Sequence, residues 1–144
     1  MITHIDLQAV LRMSLAAPYA DLVTRPTGRA VRASIEEALD ADAAVALLDF
    51  TGVGLIDFSC ADEIVAKLSR DRVRVLLVRG LTEGHREALE PVLEAAGLAV
   101  LCAQADGTLD AVGRQDSAAS LLEELLLRRV ATRTAAGAVA LTPA

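Results

Sequence analysis

The chain has 144 residues, 53% of them apolar and 24% charged, with a formal net charge of −6. That length suits one domain with a single sizeable core. The acidic balance and an aromatic share of 2% argue against nucleic acid as a partner, because phosphate-binding cations and stacking rings are both in short supply.

Other exclusions follow from pattern. No apolar run nears the roughly 20 residues that a membrane span needs. The opening MITHIDLQAV lacks a basic-then-apolar leader, so a cytosolic chain is expected. Two cysteines, Cys60 and Cys102, suit reduced thiols better than a disulfide framework. His4 and His85 lie too far apart for metal-ligand spacing, so neither a metal nor a cofactor is expected.

Residues 2–7 alternate imperfectly and predict a short edge strand; residues 8–16 look helical up to Pro18. Asp21 to Pro26 is expected to be extended, since the residue before a proline avoids the helical region. Thr27 to Asp40 predicts a helix with Val31, Ile35, Ala38 and Leu39 on one face. Arg25, Arg29 and Arg32 share a helical spacing and form a candidate anion-binding edge, or else an ordinary solvated face.

The stretch from Leu47 to Lys67 carries the main signal. Val45–Asp49 is a charge-free apolar run up to its last residue, as in a parallel strand covered on both faces. Gly52 and Gly54 allow a turn. Ser59 with Asp62 has capping-box spacing, so a helix is expected to start at Ser59 with Ala61, Ile64, Val65 and Leu68 inward and Glu63–Lys67 paired. Cys60 beside it reads as a small buried residue, or as a thiol activated at a helix start.

Val73 to Val78 is a second apolar strand. Thr82 caps a predicted helix running to about Ala96, with Leu89, Val92, Leu93 and Ala96 inward; Pro91 predicts a kink or break, and Gly97 a stop. His85 reads as a surface residue. Leu98 to Ala103 is the next strand, and Asp106-Gly107 turns the chain into a hairpin partner at Thr108–Val112. A helix capped by Asp116 or Ser117 is expected to reach about Arg133. Its apolar arc (Ala118, Leu121, Leu122, Leu125, Leu126, Leu127, Val130) exceeds what one sheet face covers, so the 134–144 tail, a partner or a second copy must take the surplus. Strands alternating with helices predict a single α/β sandwich, mainly parallel, with an antiparallel edge.

With these residues in place, the chain resembles the STAS fold, the domain of sulphate transporters and anti-sigma factor antagonists. LDFTGVGLIDFSCADEI is similar to the signature in which a strand runs through an Ile-Asp pair into a phosphorylatable serine at a helix start. Leu22–Arg32 and Leu48–Ile64 are closer to a STAS-like family of unassigned function, and the likeness covers about residues 20–130. In the antagonists the acceptor serine directly follows the aspartate. Here Phe58 follows Asp57, Ser59 takes the second hydroxyl position and Cys60 replaces a glycine. The resemblance implies a non-catalytic regulatory module that docks an ATPase-type kinase or anti-sigma-like regulator through Asp57, Phe58, Ser59, Cys60, Asp62 and Glu63. Ser59 is then the phosphorylation candidate, with a homodimer through the C-terminal helix as a further expectation. The competing reading is an enzyme or small-ligand protein using Asp49, Asp57, Ser59 and Cys60 at the C-terminal strand ends. No nucleophile–base pair or phosphate loop supports it.

Overall fold

The computed structural model describes residues 1–15 and 20–143; the expected stop at Pro18 lies outside them. Four parallel strands, β1 (Thr3–Asp6), β2 (Val45–Asp49), β3 (Val75–Arg79) and β4 (Ala99–Ala103), stand side by side in chain order. β5 (Leu109–Gly113) closes the edge antiparallel to β4. The α/β sandwich with one antiparallel edge is therefore the fold.

Chain-order strands decide where the helices lie. Each right-handed crossover moves one strand in the same direction, so each covering segment lands on the same face. That face carries α1 (Leu7–Leu15), α2 (Arg25–Ala38), a helix over 58–71 and α5 (Glu83–Ala95). Their Leu11, Val31, Ile35, Ile64, Leu89 and Leu93 pack on Ala46, Leu48, Leu76, Val78, Val100 and Cys102. The alternate strand residues, Val45, Leu47, Val75, Leu77 and Leu101, point to the opposite face. There they meet α6 (Ala118–Leu127) and a hairpin of β6 (Ala131–Arg133) and β7 (Val139–Leu141). Strands buried on both faces need the continuous apolar runs that the sequence contains.

Several boundaries differ from expectation. Only the segment before Arg25 is extended: α2 begins at Arg25 with Pro26 in its first turn, where a missing N–H costs nothing. Ala38 and Ala96 are exposed, each at the C-terminal end of its helix. α5 runs unbroken through Pro91, on its exposed side: both Pro91 and Glu87 are exposed, where the carbonyl that a proline leaves free is open to hydration. α6 stops at Leu127, six residues short of Arg133, as Arg129 takes a left-handed φ of 61° and turns the chain into β6. The tail then covers the surplus apolar face of α6. Leu125 and Val139 are buried, and Leu121, Leu122, Leu126, Val130 and Leu141 pack against them, while Leu127 stays 73% exposed. No described helix is long and apolar enough to cross a membrane.

The 58–71 helix has a π-helical middle, Ala61–Ala66, between α3 (Phe58–Cys60) and α4 (Lys67–Asp71). Five of those six middle residues are buried: Ala61, Glu63, Ile64, Val65 and Ala66. A wider turn brings more of the circumference inward, which suits a helix wedged between α2 and α5.

Candidate functional site

The Ser59 turn is built by two segments that lie along each other. Leu22 N donates to Leu55 O at 2.7 Å, Asp57 N to Leu22 O at 3.0 Å and Gly54 N to Ala20 O at 2.6 Å. This short parallel pairing puts the starts of α2 and the 58–71 helix together. Asp57, in extended backbone, then caps the 58–71 helix and ties it to Thr24, the residue before α2. Its Oδ1 accepts from Cys60 N at 2.8 Å and its Oδ2 from Thr24 N at 2.8 Å. Thr24 has φ 70° and ψ 145°, a region that a β-branched residue occupies only under constraint. Its carbonyl also accepts from Gly28 N and from the Cys60 thiol, at 3.1 and 3.2 Å.

The N-cap is therefore Asp57, not Ser59. Ser59 lies one residue inside the helix, half-buried, and its hydroxyl has no hydrogen-bond partner among the described residues. Burial raises the Asp57 pKa, but the two backbone N–H groups outweigh it and hold the carboxyl below its usual range. Asp57→Ala should lower stability by about 2 kcal/mol, because it strands two N–H groups and frees a strained Thr24. Ser59→Ala should stay within about 0.5 kcal/mol of wild type. Urea unfolding of both variants checks this ordering, and equal losses would reject Asp57 as the cap.

One turn further, Glu63 is fully buried at the centre of a cationic cage. Its Oε1 accepts from Arg25 Nη1 at 2.7 Å and Lys67 Nζ at 2.9 Å, with Arg29 Nε at 3.6 Å; its Oε2 accepts from Arg32 Nη2 at 3.2 Å. Arg25 also bonds Asp62 at 2.8 Å, and Arg32 bonds Glu36 at 2.8 Å. Burial disfavours the Glu63 carboxylate, yet Arg25, Lys67 and Arg32 outweigh it and pull its pKa down to about 2. The anion that Arg25, Arg29 and Arg32 gather around is thus internal.

Cys60 is fully buried, and burial, followed by the Asp57 charge, pushes its thiol up to about 12. It acts as a protonated donor to Thr24 O, and the dipole activation that an exposed helix start would give is absent. Asp49 is likewise committed: its oxygens accept from Thr51 N at 2.9 Å and Arg79 Nη2 at 3.1 Å. Asp49, Asp57, Ser59 and Cys60 sit near the strand ends, but three of the four already spend their chemistry on holding the turn and the sheet edge.

His85 is not the surface residue expected. It is 2% exposed, and its ring stacks at a tilt on Phe50 with centroids 5.2 Å apart. Nδ1 accepts from Thr82 N at 3.0 Å, so Nε2 carries the proton and donates to Gly54 O at 2.7 Å. The histidine completes a capping box with Thr82 and pins the glycine turn from below. The T-x-x-H spacing was visible in sequence; Gly54, 31 residues away, was not.

The surface that remains is mixed, with two exposed apolar side chains beside the Arg25–Asp62 ion pair. Leu55 is 70% and Phe58 62% exposed, one on each side of the Asp57 clamp. Phe58 and Ser59, with Arg25 and Asp62, border a shallow depression whose far side is Val92, Ala95 and Ala96 at the end of α5. No family model, curated protein or solved structure matches the chain.

Proposed function

We propose that this chain is a non-catalytic regulatory module that binds a partner protein through the Ser59 turn and the helix that follows. One observation carries the reading. Two large apolar side chains, Leu55 and Phe58, stand in water on a turn fixed by Asp57, His85 and the pairing with residues 20–24. Presenting apolar surface on a rigid support limits the entropy lost on docking, and aromatic anchors of this kind dominate binding energy at interfaces. The commitment of Asp57, Cys60 and Glu63 to internal bonds agrees with a site that recognises rather than reacts. Ser59, with its hydroxyl unspent beside Phe58, is the residue through which phosphorylation would alter docking, by placing a charge of roughly −2 next to the apolar anchor. The STAS resemblance supplies the class of partner, an ATPase-type kinase or anti-sigma-like regulator.

The test is quantitative capture from a native extract with wild type, Phe58→Asp and Leu55→Asp side by side. Specific partners should be depleted at least about tenfold by Phe58→Asp, the loss of one anchor. Identical captured proteins for all three chains would refute docking through this turn.

A further inference from the structure

A second surface, away from the Ser59 turn, has the features of a ligand site. A cleft of about 670 Å³ opens over the carboxyl ends of β3 and β4, where α/β sheets bind their ligands. The volume falls within the usual range for small-molecule sites. Leu81 and the 141–143 segment form its sides, and Cys102 and Ala103 contribute further apolar lining.

The polar lining is rich in donors. Arg79 and Arg86 both face the cleft, and each gives one Nη2 to a carboxylate, Asp49 at 3.1 Å and Asp110 at 2.8 Å. Those single bonds orient the guanidinium planes and leave their other N–H groups unspent. The side chains of His4 and Gln104, also in the lining, make no hydrogen bond among the described residues. Among the described residues Asp106 is the one carboxylate in the lining, and its Oδ1 already accepts from Thr108 N and Oγ1 at 3.0 and 2.6 Å. Asp49 and Asp110 offset the two guanidinium charges, so what the cleft offers an anion is the unspent N–H donors of Arg79 and Arg86 rather than net positive charge. The walls beside them are apolar.

We infer that this cleft binds a small organic oxyanion, a carboxylate or phosphate ester, with its charged end on Arg79 and Arg86 and its apolar body against Leu81 and Leu141. The inference does not depend on docking through Ser59.

Titration of isotope-labelled protein with benzoate, phenyl phosphate, inorganic phosphate and benzyl alcohol, followed by amide chemical shifts, tests it. Benzoate or phenyl phosphate should give saturable shifts centred on Gly80, Gln104 and Ala105, with Kd on the order of 1 mM. Whichever binds tighter names the head group. Arg79→Met and Arg86→Met, each checked by its thermal melt, should weaken binding at least tenfold. Arg86→Lys, which keeps the charge without the fork, covers the case of a misfolded methionine variant and should give an intermediate loss. Benzyl alcohol shifting the same amides as strongly would overturn the charge recognition. Inorganic phosphate binding as tightly as phenyl phosphate would overturn the apolar contact. Shifts that never saturate would overturn the site.

Discussion

Replacing Glu63 by glutamine should lower the unfolding free energy by about 2–3 kcal/mol at pH 7 and leave it nearly unchanged at pH 2. The Glu63 pKa falls from 4.5 to about 2 on folding because Arg25, Lys67 and Arg32 bond to the carboxylate, outweighing its burial. A shift of that size amounts to about 3 kcal/mol at roughly 1.4 kcal/mol per pH unit, an upper figure because the cations partly face water. The direction follows from proton counts. Between pH 2 and 4.5 the unfolded chain holds the proton at this position and the folded chain does not, so stability rises with pH across that window. The contribution is complete above about pH 5 and gone below about pH 2. Glutamine removes the charge at every pH, so its deficit shrinks as wild type is acidified. Asp57 and Asp49 are also held below their usual range in the fold, and they leave the variant with a residual acid slope. Urea unfolding at intervals from pH 7 to pH 2 measures the difference. A deficit that stays constant across the range would mean that the cage does not act through the Glu63 charge.

How far such a cage is legible in the sequence depends on how far apart its members lie. The i, i+4 pair Glu63–Lys67 was visible from spacing alone and is present at 2.9 Å. Arg25 and Arg32, 38 and 31 residues away, were seen as a stripe, but nothing local said that a buried carboxylate would meet them. The strands show the same rule. Val45–Asp49 and Ala99–Ala103 stand within a residue of where their apolar runs placed them, because burial on both faces writes the whole element into composition. The hairpin of β6 and β7 is short and packs one face only, so three-residue strands left no period to read. Ser59 and Asp57 illustrate a closer competition. Both are good capping residues near the helix start, but only Asp57 carries two oxygens, and the second satisfies Thr24 on another segment. Long-range partnership, not local preference, chose the cap. Among the members of the site, Leu55 and Phe58 were the least legible as exposed residues, since an apolar side chain beside a buried strand is expected to turn inward.

Gly28→Leu should cost about 3 kcal/mol or more, and Gly28→Ala about 1 kcal/mol. Glycine in mid-helix ordinarily lowers stability relative to alanine by about 1 kcal/mol, so its place in α2 calls for a packing reason. A Cβ at this position would lie 2.9 Å from Glu63 Cβ, 3.3 Å from Cys60 Cα and 3.4 Å from Cys60 Sγ. Two of those atoms sit on or next to the backbone of the 58–71 helix and cannot swing aside, so the helices must part. Arg25, Gly28, Arg29 and Arg32 fall on one stripe of α2 at i, i+3, i+4 and i+7, and parting the helices draws the three arginines away from Glu63 together. The variant should therefore lose acid dependence as well as stability. Combined with Glu63→Gln, it should fall short of additivity by about 1 kcal/mol or more, since the second change removes a charge whose partners have already withdrawn. Denaturant midpoints at pH 7 and pH 3 for the two single variants and the double variant close the cycle. Strict additivity would show that the close helix contact and the buried carboxylate are independent. A shortfall would make Gly28 the residue that brings α2 near enough for the cage, and so for the Asp57 clamp beneath Phe58, to form.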